Sequence, residues 1–397
     1  MSLAEGRPYL AIPGPSVMPD RVLAAMMRPA PNIYGGALHD LTLTVLADLR
    51  RVARTTAHVA IYIGNGHAGW EAANANLFSR GDRALAVTTG TFGQGWVESL
   101  RRMGVLVEVL DCGKQSAVDP GQIAEALRGD PGGQIRAVLV THTDTATSVR
   151  NDIAAIRAAI DVVGHPALLA VDAIATLGCD PMKMDDWGVD VLVAASQKGL
   201  MVPPGLAFLW ASEKAVAASS ASDLRTPYWD WTPRFFGADY WQLFCGTAPT
   251  HHLFALREAL TMILEEEGLE NAWARHARLA RAVWAAFEVW GQGGDIGLNV
   301  RMPAMRGHSV TAARLGGGAA GRLRVWAEKE AGVTLGIGLG MALATEPAYD
   351  DFLRVAHMGH VNAHMTLGVL SVMEAGLTAL KVPHGKGALD AAIAALV

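Results

Sequence analysis

The sequence has few cysteines, no long apolar run and no leader-like start. Its three cysteines, Cys112, Cys179 and Cys245, are widely spaced and form no CxxC pair, which argues against a disulfide framework and a zinc knuckle. No stretch approaches the ~20 apolar residues that cross a bilayer. The N-terminus lacks the basic start and apolar core of a secretory signal. These absences predict a cytoplasmic protein without a membrane partner and without a metal site.

Charge is also scarce. Charged residues make up 18% of the chain, the formal net charge is −5, and no Lys/Arg cluster could follow a phosphate backbone, so nucleic acid is not an expected partner. By contrast, 51% of the 397 residues are hydrophobic, which provides ample core. At ~100–200 residues per domain, this length predicts two domains.

Between residues 58 and 211, short apolar runs alternate with helical patterns. The runs are VAIYI (59–63), RALAV (83–87), VLVEVL (105–110), IRAVLVT (135–141), ALLAVD (167–172), VDVLVAA (189–195) and LAFLWA (206–211). Strands that are apolar at nearly every position are expected to be buried on both faces. Their alternation with helices predicts an α/β fold with a mostly parallel, seven-stranded sheet covered by helices on both faces.

After residue 212 the pattern changes. An aromatic-rich stretch (222–250) precedes two expected helices near 250–267 and 269–290, with Gly268 as the break. Strand-like HSVTAARL and FLRVAHM and a helix near 361–380 then indicate a smaller α/β unit. We therefore expect an N-terminal arm (1–20), a large α/β domain (21–255), and connecting helices with a small C-terminal domain (256–397).

Two charged residues follow neighbouring apolar strands. Lys198 lies just past VDVLVAA, and Asp172 ends ALLAVD; ligands of open parallel sheets bind at such carboxyl ends. A desolvated lysine has a lowered pKa and can form a Schiff base with an aldehyde. A buried carboxylate needs a partner, such as the protonated nitrogen of a pyridine ring. Either residue alone could simply cap a strand, but the pair favours a pyridoxal phosphate site.

A Gly-rich turn, IGNGHAGWEAA (63–73), leads from a strand into a helix. Backbone N–H groups at a helix start attract anions, so Asn65, Gly66 and His67 are candidates to hold the 5′-phosphate. The turn matches neither GxxxxGK[ST] nor GxGxxG, which makes ATP and NAD weaker interpretations.

Three further residues could complete such a site. Phe92 could stack on a flat ring, Thr145 could offer a hydroxyl to the ring oxygen or phosphate, and Arg354 suits bidentate capture of a substrate carboxylate. Their ordinary alternatives are a core Phe, a turn-forming Thr and a surface Arg on an edge strand.

The order of these motifs resembles that of the class V aminotransferases, which are fold-type I pyridoxal-phosphate enzymes. The motifs are PGPS (13–16), NGHAGWEAA (65–73), THTDTATS (141–148), VDAIATLG (171–178), SQKGLMVPPGLAF (196–208) and LRVAHMGH (353–360). They are most similar to the serine–glyoxylate and alanine–glyoxylate branch. The resemblance implies ping-pong transfer of an amino group from a small amino acid, of the serine or alanine type, to glyoxylate or pyruvate. It also implies a homodimer with active sites at the subunit interface.

The resemblance assigns roles to single residues. Lys198 would hold the cofactor covalently, Asp172 would pair with the pyridine nitrogen, and Arg354 would grip the substrate carboxylate. Thr247 would reach the phosphate of the partner subunit, and Tyr34 would lie near the substrate. The remaining cofactor contacts implied are Asn65, Gly66, His67, Phe92, Thr145, Ile174 and Gln197.

The sequence departs from this branch near the expected substrate site. Ile33-Tyr34 stand where a His-Arg pair is usual, Asn65 replaces Ser, Phe244 lacks the hydroxyl of some relatives, and the link from 338 to 354 differs. Tyr34 and the HTDT run also resemble the pyridoxamine–pyruvate branch, although that branch's second arginine is not found. Pyridoxamine or aspartate as the donor therefore stays open, as do a lyase or desulfurase and a non-catalytic pyridoxal-phosphate-binding homologue.

Overall fold

The computed structural model describes residues 2–397, in which strands form two separate sheets. The strands are β1 (Tyr9–Ala11), β2 (His58–Gly64), β3 (Arg83–Thr88), β4 (Leu106–Asp111), β5 (Ile135–Thr141), β6 (Leu168–Asp172), β7 (Val191–Ala195), β8 (Gly205–Ala211), β9 (Ile296–Leu298), β10 (Val310–Leu315), β11 (Val333–Ile337) and β12 (Phe352–Ala356).

Helices connect and cover these strands. The α-helices are α1 (Asp20–Ala25), α2 (Ala37–Ala53), α3 (Gly66–Leu77), α4 (Thr91–Arg102), α5 (Pro120–Arg128), α6 (Ile153–Val163), α7 (Glu213–Ser219), α8 (Thr232–Phe236), α9 (Thr250–Thr261), α10 (Leu269–Gly291), α11 (Ala319–Ala331), α12 (Ala363–Ala379) and α13 (Ala388–Leu396). Short 3₁₀ helices span Tyr240–Leu243, Pro303–Met305 and Pro347–Asp351, and a π-helix spans Met262–Glu267.

The larger sheet has seven strands in the order β2-β8-β7-β6-β5-β3-β4. All neighbouring pairs are parallel except those of β8, which runs antiparallel to β2 and β7. The predicted mostly parallel sheet with seven strands is therefore confirmed, and each of the seven predicted runs contains or overlaps an observed strand.

Buried apolar clusters lie on both faces of this sheet, which explains why most of its strands are hydrophobic at nearly every position. In β3, Leu85 and Val87 pack into one buried cluster, while Ala84 and Ala86 pack into the cluster on the opposite face. The prediction that VLVEVL is buried on both faces is wrong. This run forms β4, which is the edge strand beside β3, and none of the residues of β4 is fully buried.

The connecting helices begin and end on local signals. The carboxylate of Asp152 caps α6 by accepting a hydrogen bond of 3.0 Å from Ala155 N, and α6 ends at Gly164, whose φ of 69° lies in the left-handed region. Further along, Gly268 separates α10 from the preceding helix as predicted. The predicted helix over 250–267 changes to π-helical geometry at Met262.

The smaller sheet has the order β1-β11-β12-β10-β9. Sequence reasoning found β10, β12 and the helix near 361–380 but missed β9, β11 and α11. The N-terminal segment supplies β1, which pairs in parallel with β11, with Tyr9 opposite Val333. The smaller α/β unit is thus present, and the bounds of arm and domains stay a prediction.

Residues 2–397 hold neither a disulfide nor a side-chain cluster suited to a metal ion. The three cysteines are free thiols, and no group of three or more His, Cys, Asp or Glu side chains within this range could hold a metal ion. Among the helices in the same range, none combines the length and hydropathy needed to cross a membrane.

Candidate active site

A cavity of about 590 Å³, including its open mouth, lies at the carboxyl edge of the larger sheet. Residues from the ends of β2, β3, β5, β6 and β7 meet there, as expected for an open parallel sheet. Nine of the predicted site residues line it: Asn65, Gly66, His67, Phe92, Thr145, Asp172, Ile174, Gln197 and Lys198. Trp70 and Thr143 complete the lining.

Lys198 lies three residues beyond β7 and is buried. Its Nζ donates a hydrogen bond to the backbone oxygen of Pro13, from the N-terminal segment. Burial, followed by the nearby Arg354 guanidinium, lowers the pKa of Lys198 to about 8, while Asp172 opposes this shift. The segment over the lysine is packed closely, since a Cβ at Gly14 would lie 2.7 Å from Nζ. The amine is therefore held in place and can lose its proton near neutral pH.

Asp172 ends β6, beside the strand that leads to the lysine, and its side chain is buried. Its Oδ1 accepts a hydrogen bond of 2.7 Å from Ile174 N, and its Oδ2 accepts one of 3.0 Å from Trp70 Nε1. Burial raises the pKa of Asp172 to about 7, although both hydrogen bonds and Lys198 lower it. A cationic group placed against this carboxylate would relieve the cost of its burial.

The Gly-rich turn places the N-terminus of α3 at the cavity. Asn65 caps the helix, and its Oδ1 accepts a hydrogen bond of 3.1 Å from His67 N. A Cβ at Gly66 would lie 2.3 Å from Ile174 Cδ1, so a side chain at this position cannot fit unless Ile174 moves. The glycine therefore lets Ile174, which lines the cavity, pack against the start of α3, where backbone N–H groups can meet an anion.

Phe92 lies in the first turn of α4. The N-terminus of this helix is occupied by Asp144, which was not among the predicted site residues. The buried carboxylate of Asp144 accepts hydrogen bonds of 2.8 Å from Phe92 N and 3.1 Å from Gly93 N. Burial raises the pKa of Asp144, and these backbone N–H groups oppose the shift. Because Asp144 fills the anion-binding end of α4, the start of α3 is the better place for a phosphate.

Arg354 lies on β12, in the middle of the smaller sheet, and is buried. Its Nε donates to Ile337 O at 2.7 Å, and its Nη1 donates to Thr145 O at 3.0 Å. Burial lowers the pKa of Arg354 to about 10, and Asp144 opposes this shift. The alternative of a surface arginine on an edge strand is wrong, and the guanidinium instead adjoins the backbone of a residue that lines the cavity.

Besides Arg354, two predicted site residues do not line this cavity. Tyr34 is 90% exposed, and Thr247 is exposed in the loop before α9. A single chain therefore does not bring them to Lys198, and their assigned roles, Tyr34 near the substrate and Thr247 at the phosphate of the partner subunit, stay predictions.

The missed residues each carried a signal in the sequence. Trp70 follows Gly66 by four positions, which places both on one face of α3. Asp144 closely follows the apolar run of β5, in the same way that Asp172 ends β6. Thr143, which lines the cavity, belongs to the same segment.

The cavity fits pyridoxal phosphate in the nature and placement of its groups. The N-terminus of α3 offers backbone N–H groups to a phosphate, a buried carboxylate is available for a ring cation, and a lysine amine is available for an aldehyde. In addition, the buried amide oxygen of Gln197 has no hydrogen-bond partner among the described residues, so its amide end is free for a ligand. The polar groups and the apolar Phe92 and Ile174 together suit a charged, flat ring.

Comparisons with known proteins agree with this geometry. The profile of the family "Aminotransferase class-V" matches residues 9–312. The serine–glyoxylate aminotransferase of Methylorubrum extorquens is 35% identical over 96% of this chain and 94% of that protein. The L-aspartate–glyoxylate aminotransferase of Paracoccus denitrificans is 34% identical over 94% of this chain and 91% of that protein.

A solved structure extends the similarity to the whole fold. The pyridoxamine–pyruvate aminotransferase of Mesorhizobium loti superposes with a TM-score of 0.89 at 26% identity, over 100% of this chain and 99% of that one. The predicted family, fold and class of enzyme are thereby confirmed, and the family implies pyridoxal phosphate as cofactor. The chain belongs to the class-V aminotransferases and is a transaminase of the fold-type I architecture.

Proposed function

We propose that the chain binds pyridoxal phosphate at Lys198 and transfers the amino group of a small amino acid, of the serine or alanine type, to glyoxylate or pyruvate. The observation that carries the proposal is the placement of a buried lysine and a buried carboxylate at adjacent strand ends of one cavity. The relatives that act on glyoxylate, across more than nine-tenths of this chain, support the choice of acceptor.

The cofactor would be held by residues from several strand ends. The start of α3, at Asn65, Gly66 and His67, would hold the phosphate, and Thr145 and Gln197 would make polar contacts to the cofactor. Asp172 would pair with the ring nitrogen, and Phe92 and Ile174 would supply apolar contacts. When bound, pyridoxal phosphate supplies a carbonyl that takes up amino groups and a ring that stabilises negative charge on the substrate carbon.

The chain's own residues would then move the proton. The Nζ atom of Lys198, whose pKa burial lowers to about 8, takes the α-proton from the substrate as general base and later returns it. The Pro13 backbone oxygen accepts a hydrogen bond from this Nζ, which keeps the lysine directed to one place. Asp172 acts as an anion that stabilises the ring cation throughout.

Substrate recognition would depend on Arg354. The Nη2 atom of Arg354 donates no hydrogen bond within residues 2–397, so donor capacity is left for a substrate carboxylate. Both an amino acid and a 2-oxo acid carry this group, and one arginine can therefore serve both halves of a ping-pong reaction.

We also propose a homodimer whose interface completes each site. The exposed Tyr34 and Thr247 would reach the substrate and the phosphate of the partner subunit. Sedimentation equilibrium should give twice the chain mass, and a monomer with full activity would contradict this arrangement. The free thiols suit the reducing environment of the cytoplasm, where we expect the protein to act.

Another amino donor on the same fold is the second candidate. The relative that acts on aspartate and the structural neighbour that acts on pyridoxamine favour testing both compounds. A cysteine-dependent desulfurase lacks support, because no cysteine of the described chain lines the cavity. A non-catalytic homologue would bind the cofactor without turnover.

A matrix of donors and acceptors tests these alternatives. Serine, alanine, aspartate and pyridoxamine are each combined with glyoxylate or pyruvate, and the amino acid formed is measured. We expect serine or alanine with glyoxylate to give the highest kcat/KM. Turnover only with aspartate or pyridoxamine would favour the second candidate, and no turnover with any pair would contradict the proposed activity.

A further inference from the structure

Trp70 contacts Asp172 through the one polar atom of its side chain. The indole Nε1 donates a hydrogen bond of 3.0 Å to Asp172 Oδ2, and both side chains are buried. Trp70 lies one helical turn after Gly66 on α3, so the helix that would hold the phosphate also supplies this donor. Two parts of the site are therefore connected through one element.

The indole of Trp70 is fixed by a second tryptophan. The rings of Trp70 and Trp96 are nearly parallel, with centroids 6.0 Å apart and an interplanar angle of 9°. Trp96 in turn donates from Nε1 to Asn74 Oδ1 at 2.9 Å, and Asn74 donates to Ser99 Oγ at 3.1 Å. Because this stacked pair is buried between α3 and α4, the N–H of Trp70 has a defined direction.

We propose that Trp70 is a positioning residue, which keeps the Asp172 carboxylate ionised and directed at the ring nitrogen of the cofactor. The inference rests on the proposed function. Each carboxylate oxygen can accept two hydrogen bonds, so Oδ2 can accept the N–H of Trp70 and still meet a ring cation. The indole N–H stabilises the carboxylate anion. Because it can only donate, it cannot accept a hydrogen bond from the protonated acid and so does not favour that form.

Other groups around Asp172 act on its charge as well. Lys198 favours the ionised form and Asp144 opposes it, while Ile174 N donates to Oδ1. His67, also on α3, lies against the Trp70 ring, with centroids 4.7 Å apart. Among these groups, Trp70 is the side chain that donates a hydrogen bond to the carboxylate itself.

The test compares Trp70→Phe with Trp96→Phe. Each variant removes one indole N–H from the same stacked, buried pair, and each leaves an aromatic ring, but the N–H lost from Trp96 meets Asn74 instead of Asp172. The dissociation constant of pyridoxal phosphate is measured by absorbance from pH 5.5 to 9 for wild type and both variants. Thermal unfolding of the cofactor-free proteins reports the packing loss, which should be similar in the two variants.

We expect Trp70→Phe to weaken binding about tenfold near pH 7 and to shift the acid limb of binding upward by about one pH unit, the effect of one lost hydrogen bond to a charged acceptor. Trp96→Phe should keep the wild-type limb. Equal limbs in the two variants would overturn the inference, whereas failure of the wild type itself to bind the cofactor would overturn the proposed function.

A second measurement keeps the inference testable if Trp70→Phe does not fold. One indole N–H resonance of the cofactor-free wild type should shift with pH as Asp172 titrates, and this shift should be absent in Asp172→Asn. If no indole signal responds to pH in this way, Trp70 does not sense the charge of Asp172 and the inference fails.

Discussion

Replacing Arg354 with glutamine should weaken substrate recognition. The guanidinium is buried and held by the backbone oxygens of Ile337 and Thr145, so its direction is fixed before substrate arrives. Glutamine keeps a polar group of moderate length but removes the charge and the paired donors. A hydrogen bond to a charged group contributes about 1.5–3 kcal/mol, and loss of a paired contact should therefore lower kcat/KM about 100-fold.

The same substitution should also change the lysine. After burial, Arg354 is the largest cause that lowers the pKa of Lys198. Without it, the pKa of Lys198 should rise above its value of about 8, and the neutral amine needed to attach the cofactor should become scarce at pH 7. The rate of pyridoxal phosphate attachment, followed by absorbance against pH, should show its acid limb displaced upward.

The assay is steady-state turnover of serine and of alanine with glyoxylate. The control is Arg314→Gln, which removes a cation of the same sheet that pairs with Asp295 and Asp351 and does not line the cavity. The control should keep kcat/KM within about twofold. If Arg354→Gln also stays within twofold for both amino acids, its assignment to the substrate carboxylate is wrong.

Three further predictions follow from burial and packing. Lys198→Ala should still bind pyridoxal phosphate but lose turnover, and normal turnover in this variant would contradict the general-base assignment. Gly66→Ala should weaken cofactor binding, because its Cβ would meet Ile174, a residue of the cavity lining, at 2.3 Å. In the control Gly368→Ala, on α12, the new Cβ meets nothing within 4 Å and should stabilise the chain by up to ~1 kcal/mol. Equal cofactor affinity in both variants would contradict this role of Gly66. Burial lowers the pKa of three histidines far below 6.5, so protonation of these residues below that pH opposes folding. The free energy of unfolding, measured by urea titration, should fall by about 1.4 kcal/mol per histidine for each unit that the pH falls below 6.5. A flat profile from pH 6.5 to 4.5 would contradict this. These residues are His142, His276 and His357, with pKa values of about 4, 3 and 4.

The larger sheet could be predicted from the sequence because its signal is local. Strands such as β6 and β7 are apolar at nearly every position, since they are covered on both faces. The pattern cannot tell an edge from a centre, however, and so the exposure of β4 was missed. Likewise, β1 is three residues long and pairs with β11 more than 300 positions later, and no local pattern contains that information.

The candidate site likewise contains residues that a local sequence pattern reveals and residues that it does not. Lys198 and Asp172 could be found because each lies at or just past the end of an apolar strand. Trp70 and Asp144 were missed because their importance depends on which atom they contact in three dimensions: an indole N–H on Asp172, and a carboxylate on the N-terminus of α4. Tyr34 and Thr247 lie outside the cavity of one chain, and the role predicted for Thr247 depends on a partner subunit.

The absorbance spectrum of the purified protein tests the central assignment most directly. With pyridoxal phosphate, wild type should be yellow, with a visible band from the lysine-bound cofactor that serine or alanine removes and glyoxylate restores; Lys198→Ala should lack this band. A colourless wild-type protein that does not respond to added pyridoxal phosphate would contradict the assignment of Lys198 and Asp172 as the centre of the site.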